Sequence, residues 1–520
     1  MSADRLEISA CRLARALTLV MLGFTLVVSV SWSHVKLLSQ DEMYEFQTDS
    51  VGSLRQLAHV QRTSPISLDP LLYHSLSHMA MRIFGAGAFS QRLPALLGFL
   101  LMQVCLFFLV RRIAGERAGA VAAAFPALTA SLYYSAEGRP YGLLLGLYAL
   151  ALLCWVVATQ EAAAPRWRAL AGLTLAIAAT LNTHYFGVLL LLPLAAAELW
   201  RTIKHRRLGG PMMAAIVLGA SSVAFTQPYM KATAVFRTHY YNQGSVGLHD
   251  ITRAYRSMLV DYTRLPMNAQ RVWVVVLVAS ATALVFGCLR MSRSSRIDSS
   301  VWVLLTTLAA LPFAGYLLAR FVTHSIEVRY VLGALVAISA LLAIAVARWL
   351  ASDRVFSITM AGICLAVLIG GAVRIHAEQG RSAERLSTLA LPDEASRFLR
   401  LHPDRRLYMQ DMGAFEEDRF YIADADLKSR TTLIYSAAEE LRWNHHDTMA
   451  LTAEHLQHFT LLPIVPYEQV RTLPGQQLFL LRHSGWDWTD QALTTDGAQV
   501  QVIGHAFGGD VALVRFHEPQ

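Results

Sequence analysis

Long apolar runs recur along this chain, and they constrain its fold before any other feature does. About 18 consecutive apolar residues suffice to cross the hydrocarbon core of a bilayer as a helix. Runs of this kind read at roughly 16–30, 93–110, 118–135, 141–158, 168–182, 185–200, 211–228, 271–289, 301–319, 328–347 and 355–373. That predicts about eleven membrane spans in 520 residues. The composition agrees, with 54% hydrophobic and only 16% charged residues, where a soluble chain would carry about a quarter charged.

The net charge of +8 belongs to membrane topology rather than to nucleic-acid binding, because the arginines fall in short loops between apolar runs. One set of loops holds Arg111, Arg112 and Arg117, then Arg166 and Arg168, then Arg201, Lys204, Arg206 and Arg207. It continues through Arg290, Arg293 and Arg296 to Arg348 and Arg354. The opposite set holds Asp41, Glu42, Glu45, Glu137, Asp250, Asp261 and Glu327. The positive-inside rule then places the N-terminus in the cytoplasm, and an odd number of spans places the C-terminus outside. Arg5, Arg12 and Arg15 before the first run also fit a cleavable signal peptide, but no convincing A-x-A site follows Ser31. An uncleaved first helix is the preferred reading. The Arg- and Ala-rich, Lys-poor usage points to a GC-rich bacterial genome, hence to a bacterial cytoplasmic membrane.

Two external loops are too long to be connectors. The first, 32–92, contains an amphipathic stretch at Met43–His59 and an apolar segment, Leu71–Phe84, short for a span and suited to the interface. The second, 229–270, carries Lys231, Arg237, His239, Tyr240 and Tyr241, and an interfacial helix is expected near Ile251–Tyr262. After Val373 the composition turns polar. Glu384–Leu401 has helical periodicity, and Arg406–Gln410, Thr431–Tyr435, Gln477–Leu481 and Val511–Phe516 read as strands. The expected organisation is therefore a mostly α, polytopic membrane domain, 1–373, and a small extracytoplasmic α/β domain, 374–520.

The five cysteines form no C-x-x-C pair, and His445, His446 and Asp447 read as surface residues, so no disulfide framework or structural zinc site is indicated. No phosphate-cradling GxxxxGK[ST] and no G-x-G-x-x-G is present, which argues against direct use of ATP or a dinucleotide.

Chemistry is concentrated at the outer ends of spans. Asp41 and Glu42 are adjacent carboxylates just beyond the first span, where a bilayer has no need of acids. A carboxylate there can take the proton of an acceptor hydroxyl. Ser135-Ala-Glu-Gly-Arg-Pro-Tyr141 sits where the third span ends, and Gly138 and Pro140 bracket Arg139 so that the helix breaks there. Thr183-His-Tyr-Phe-Gly187 and Val328-Arg-Tyr330 occupy outer turns as well. Arg139, Arg329 and Lys231 are the candidates for contacting a phosphate, arginine because its planar fork donates two parallel hydrogen bonds. His184 and Tyr185 are candidates for carrier or sugar, with Tyr141 and Tyr330 beside them. The plainer readings are an Arg139–Glu137 pair, a capped interfacial His184 and belt tyrosines at the membrane interface.

These motifs, in this order and on this side of the membrane, resemble the C-type glycosyltransferase superfamily. The likeness covers about residues 15–375, with the protein O-mannosyltransferases and the lipid A aminoarabinose transferases nearest. The resemblance implies a sugar taken from a polyprenyl-phosphate carrier and passed to a glycan, lipid or protein acceptor at the outer face. It assigns the base to Asp41, with Glu42 orienting the acceptor or Asp41. A single displacement of this kind inverts the anomeric centre. Many relatives carry a His-Pro-Pro-Leu-Tyr-like sequence where this chain has Ser67-Leu-Asp-Pro-Leu-Leu-Tyr73. Asp69 stands in place of that His, so the metal contact made there in some relatives is in question; no cofactor is certain, and a divalent metal stays open. The competing classes are a multi-pass transporter, although no internal repeat is visible, and an envelope-assembly scaffold using the soluble tail.

Overall fold

The computed structural model describes residues 3–160, 164–236, 246–260, 297–324, 326–482 and 487–516. The expected span 271–289, together with Arg237, His239, Tyr240 and Tyr241, lies outside the described residues. The chain divides into two compact units. The first comprises Met1–His34, Asp69–Met230 and Gly244–His376; the second comprises Val35–Leu68, Lys231–Gln243 and Ala377–Gln520.

Apolar sequence in the first unit becomes helix: α1 (Ala3–Val35), α4 (Leu71–Phe84), α5 (Ala88–Ala114), α6 (Glu116–Ala124), α7 (Tyr141–Gln160), α8 (Ala164–Thr183), α9 (Leu191–His205), α10 (Gly210–Ser221) and α11 (Val223–Thr233), the last continuing into the second unit. Between α1 and α4 the chain forms α2 (Gln40–Asp49) and α3 (Leu54–Thr63), which belong to the second unit. Large apolar side chains such as Leu19, Leu175, Leu218 and Phe225 point outward. Only lipid makes such a surface favourable, so this is a multi-pass membrane protein.

Six helices among the described residues are long and apolar enough to cross, and a bent pair, Ser299–Ala309 with Leu311–Val322, makes seven. The pair breaks by 48° where Pro312 opens the second helix. The described residues thus show seven of the eleven expected spans, and one more, 271–289, lies outside them. The run 118–135 instead forms α6 and two 3-10 turns, Phe125–Leu128 and Ala130–Ser135. In α8 the apolar stretch is shortened by Arg166 and Arg168, and the run 328–347 contains a helix of only 13 residues, Ala334–Val346.

Helices α5 and α7 approach at backbone distance. A Cβ on Gly98 would lie 2.2 Å from Leu143 Cα, and one on Gly146 would lie 2.3 Å from the Gly98 carbonyl oxygen. Gly142 is equally close to the Ala95 carbonyl, at 2.3 Å. Small residues permit this packing, which in lipid replaces the hydrophobic drive as the source of helix association. The contact fixes α7, and with it the turn 138–141 at its N-terminus.

In the second unit, α2 (Gln40–Asp49) and α3 (Leu54–Thr63) divide the expected amphipathic stretch at Gly52-Ser53. A six-stranded sheet has the order β3-β2-β1-β4-β6-β5: β1 (Leu407–Met409), β2 (Thr431–Tyr435), β3 (Ile464–Pro466), β4 (Gln476–Leu481), β5 (Gln499–Ala506) and β6 (Gly509–Arg515). Strands β1 to β4 run parallel, and β6 is antiparallel to both its neighbours, β4 and β5. Alternation buries Leu407, Met409, Leu433 and Leu478 on one face and Tyr408, Ile434 and Phe479 on the other. Ile66 and Tyr44, from the first long loop, pack into the first of these cores. That is why Val35–Leu68 folds with the tail. The expected helix Glu384–Leu401 is interrupted: one helix ends at Ser387 and the next, Asp393–Leu401, starts after Pro392.

Widening the α5–α7 contact should loosen the first unit. Gly146→Val forces a methyl pair against the Gly98 carbonyl and should cost about 1–3 kcal/mol, the usual penalty for overpacking. Thermal unfolding in detergent reads the loss; an unchanged melting temperature would contradict the close approach.

Candidate functional site

In the first unit the residues singled out from sequence converge on a carboxylate. Pro70 restricts Asp69 to extended backbone and caps α4, and Tyr73, fully buried, donates its hydroxyl to the Gln91 carbonyl at 3.1 Å. The start of α4 is thereby pinned to α5. Asp69, 5% exposed, lies with Oδ2 3.6 Å from Arg139 Nη2 and Oδ1 3.4 Å from His184 Nε2.

Arg139 leaves the Gly138-Arg139-Pro140 turn just before α7. A side chain at Gly138 would collide with Gln91, 2.9 Å away, so glycine is what lets the turn close. The Arg139 guanidinium lies over the Tyr141 ring at 5.6 Å and donates to its hydroxyl at 3.3 Å. His184 caps the 3-10 turn Tyr185–Leu190: its Nδ1 accepts from the Phe186 N–H at 3.1 Å. That bond fixes the tautomer, leaving Nε2–H toward Asp69. Burial pushes the imidazole below its ordinary range, partly opposed by Asp69. The ring therefore turns Nε2 toward the carboxylate at 3.4 Å without adding a second cation. Gly187 lets this turn close on α8, since a Cβ there would lie 2.5 Å from the Thr180 carbonyl.

Aromatic rings line the same place. Tyr141 lies 5.4 Å from His184, and Phe186 stacks on Tyr330 at 4.0 Å and 5°. The Arg329 guanidinium lies 5.8 Å from the Tyr330 ring. Arg139, Tyr141, His184, Arg329 and Tyr330 are thus brought together. Tyr185 opens the 3-10 turn and is half-buried, and the ring that stacks is its neighbour Phe186. Asp69 and Phe186 were not anticipated as members. The signal for Asp69 was available, as an acid before Pro70 at a position where relatives place another polar group.

In the second unit, Ser39 opens α2 and Glu42 closes a capping box on it, accepting from the Ser39 N–H at 3.1 Å. Glu42 is fully buried and also receives Lys36 Nζ at 3.0 Å. Asp41, its neighbour, is half-exposed. Glu45 accepts from Ser67 Oγ at 2.8 Å, and it and Asp49, one turn on, are fully buried. These two are the oxygen donors on α2 that could serve a hard divalent cation. Lys231 is exposed in the last turn of α11 and belongs to this unit.

A further acid cluster faces the start of α2. Gln40 donates from Nε2 to Tyr44 Oη at 2.6 Å and lies against Gly413, whose Cβ would sit 3.0 Å from Gln40 Oε1. The π-turn Ala414–Asp418 follows. Arg385 Nη2 lies 2.6 Å from Asp418 Oδ1 and 3.1 Å from Glu417 Oε2. Burial, only partly offset by Arg385, pushes Glu417 up to about 7 and raises Asp418. Burial raises the enclosed Glu416 as well.

Residues 69–228 match the family model described as dolichyl-phosphate-mannose-protein mannosyltransferase. The structure of ArnT from Cupriavidus metallidurans in the apo state superposes with a TM-score of 0.60 at 14% identity, covering 98% of this chain and 100% of that one. The structure of the same protein bound to undecaprenyl phosphate gives 0.59 at 13% identity, covering 96% and 99%. No curated protein sequence matches the chain. The family segment contains Asp69, Arg139, Tyr141 and His184, and the fold is that of ArnT.

The raised carboxyls set a pH dependence. Between the ordinary glutamate value of 4.5 and about 7, the folded chain holds Glu417's proton while the unfolded chain has lost it. Stability therefore falls as pH rises through that window, by up to about 3 kcal/mol at roughly 1.4 kcal/mol per pH unit. Melting of wild type and Glu417→Gln at pH 5 and pH 8 should show a smaller drop in the variant. Equal drops would contradict the assignment.

Proposed function

The chain has the fold of the C-type glycosyltransferases, and on that premise we propose that it moves a sugar from a polyprenyl-phosphate carrier to an acceptor hydroxyl. The reaction is placed at the outer face of a bacterial cytoplasmic membrane. The observation that carries this reading is the gathering of two guanidiniums, Arg139 and Arg329, over Tyr141 and Tyr330 beside His184. The undecaprenyl phosphate bound by the ArnT structure supports a lipid-phosphate carrier.

The carrier diester has one negative charge, and breaking its bond to the sugar leaves a phosphate that gains a second. Cations at that phosphate stabilise the transition state more than the ground state, which is the requirement for catalysis. Arg139 and Arg329 serve this role, with Lys231 as a third cation. Asp69 holds Arg139 in place before the carrier binds. His184, Tyr141, Tyr185 and Tyr330 contact carrier or sugar through rings and hydroxyls.

Asp41 is the base. As the acceptor oxygen attacks the anomeric carbon, the carbon–oxygen bond to phosphate breaks, the acceptor proton passes to Asp41, and the configuration inverts. Glu42, committed to Ser39 and Lys36, holds the start of α2 and so positions Asp41. The acceptor is a glycan, lipid or protein hydroxyl.

Transfer from a synthetic polyprenyl-phosphate sugar by purified protein tests the scheme. Asp41→Asn should lower kcat by about 10²–10⁴-fold, the contribution of a positioned base, with donor Kd unchanged because the base acts only as the bond breaks. Arg139→Ala should lose about 1.5–3 kcal/mol in use of the donor, the worth of a charged hydrogen bond, and Arg139→Lys should recover only part. Wild-type rates in Asp41→Asn would remove the base, and wild-type rates in Arg139→Ala would remove the arginine.

A further inference from the structure

The first unit contains a second concentration of arginine, a full span away from the cluster around Asp69. Arg139 and Tyr141 stand at the N-terminus of α7, whereas Thr159 and Gln160 at its C-terminus line a cavity of about 670 Å³. Twenty residues of helix separate the two places, about 30 Å at 1.5 Å per residue. The cavity is also lined by the C-terminal turn of α9, the Gly209-Gly210-Pro211 entry to α10 and the start of helix Ser299–Ala309. With the first turn of α8 at Arg166, five helix ends therefore meet around it, all on the side of the Arg-rich loops.

Its electrostatics are one-sided. Two carboxylates line it, and each is already matched. Glu198, 2% exposed, accepts from Arg201 Nη1 at 2.8 and 3.0 Å and from Trp155 Nε1 at 2.8 Å. Asp298 pairs with Lys204 at 3.1 Å and caps its own helix through the Ser300 N–H at 2.8 Å. Arg166 and Arg207 line the same space and pair with no carboxylate among the described residues. Glycine at position 210 leaves open space, with no atom within 4 Å of where a Cβ would stand.

The surroundings specify depth. Trp167 and Trp200 are exposed, and Leu199, Ile203 and Leu208 beside them are more than half exposed. Exposed tryptophan next to arginine marks the headgroup level of a bilayer, and basic pockets between helix ends at that level suit phosphate headgroups. A free anion needs no apolar rim, whereas a lipid must lay its chains against one.

We propose that this cavity binds the phosphate of an anionic phospholipid headgroup through Arg166 and Arg207, with the acyl chains lying along the apolar surface of α9. Arginine suits it because its fork can grip two phosphate oxygens at once. The proposal is independent of the transfer chemistry at the other end of α7.

The test titrates the full chain in non-ionic detergent with dioctanoyl phosphatidylglycerol, dioctanoyl phosphatidylcholine or inorganic phosphate, and follows the melting temperature. Phosphatidylglycerol should raise it saturably, and the other two at equal concentration should not. The double variant Arg166→Gln, Arg207→Gln should need at least tenfold more phosphatidylglycerol. Gly210→Glu, which sets a like charge in open space at the same place, should weaken binding similarly and decides the matter if the double variant fails to fold. Arg139→Ala should keep the full effect. Equal responses of wild type and both cavity variants would overturn the site, as would loss of the effect in Arg139→Ala. An equal response to phosphatidylcholine would overturn the role of charge, and an equal response to inorganic phosphate would overturn the lipid.

Discussion

A carboxylate shared between a guanidinium and an imidazole, inside a unit built of apolar helices, is the interaction on which the first unit's chemistry depends. An isolated charge in such surroundings costs far too much to keep, and it survives only when paired and hydrogen-bonded. Asp69 is paired with Arg139 at 3.6 Å and faces the Nε2 of His184 at 3.4 Å. On the proposed function, the arrangement keeps a guanidinium at the end of a span, where a phosphate would share it.

That geometry rests on the backbone contact between α5 and α7. Gly98, Gly142 and Gly146 bring the two helices to a separation no larger residue permits, and the turn carrying Arg139 emerges from the end of that contact. Gly138 and Gly187 then let two loops close tightly, one on Gln91 and one on Thr180. Specific small residues thus set the position of large charged ones. In the second unit the equivalent device is ionic. The capping box of α2 and the Lys36–Glu42 pair hold its first turn, where Asp41 stands.

Much of this was legible in the sequence. The apolar runs gave the membrane character, and four of the six strands were readable from β-branched and aromatic alternation. Leu71–Phe84 emerged as a helix with the expected limits. The count of spans was less legible, because Pro126 and Pro312 break apolar runs that hydropathy reads as continuous. Strand β3 is three residues long, and β5 exposes Val500 and Val502 at the sheet edge, so neither shows the usual burial pattern. Within the site, the motif residues Arg139, His184 and Tyr330 were found because helix breakers or span ends flag them. Asp69 stood out only as a departure, and its partners are 70 and 115 residues away in the chain, a distance that no local pattern encodes. The folding of Val35–Leu68 with the tail depends on Ile66 and Tyr44 meeting a core formed more than 300 residues later.

The central claim is that the guanidiniums beside Asp69 exist to hold a lipid-linked phosphate. Calorimetric titration of a short-chain polyprenyl phosphate carrying no sugar tests it most directly, because no chemistry intervenes. Wild type should bind it, and the double variant Arg139→Gln, Arg329→Gln should bind at least tenfold more weakly while melting cooperatively. Equal affinity in the two proteins would contradict the account.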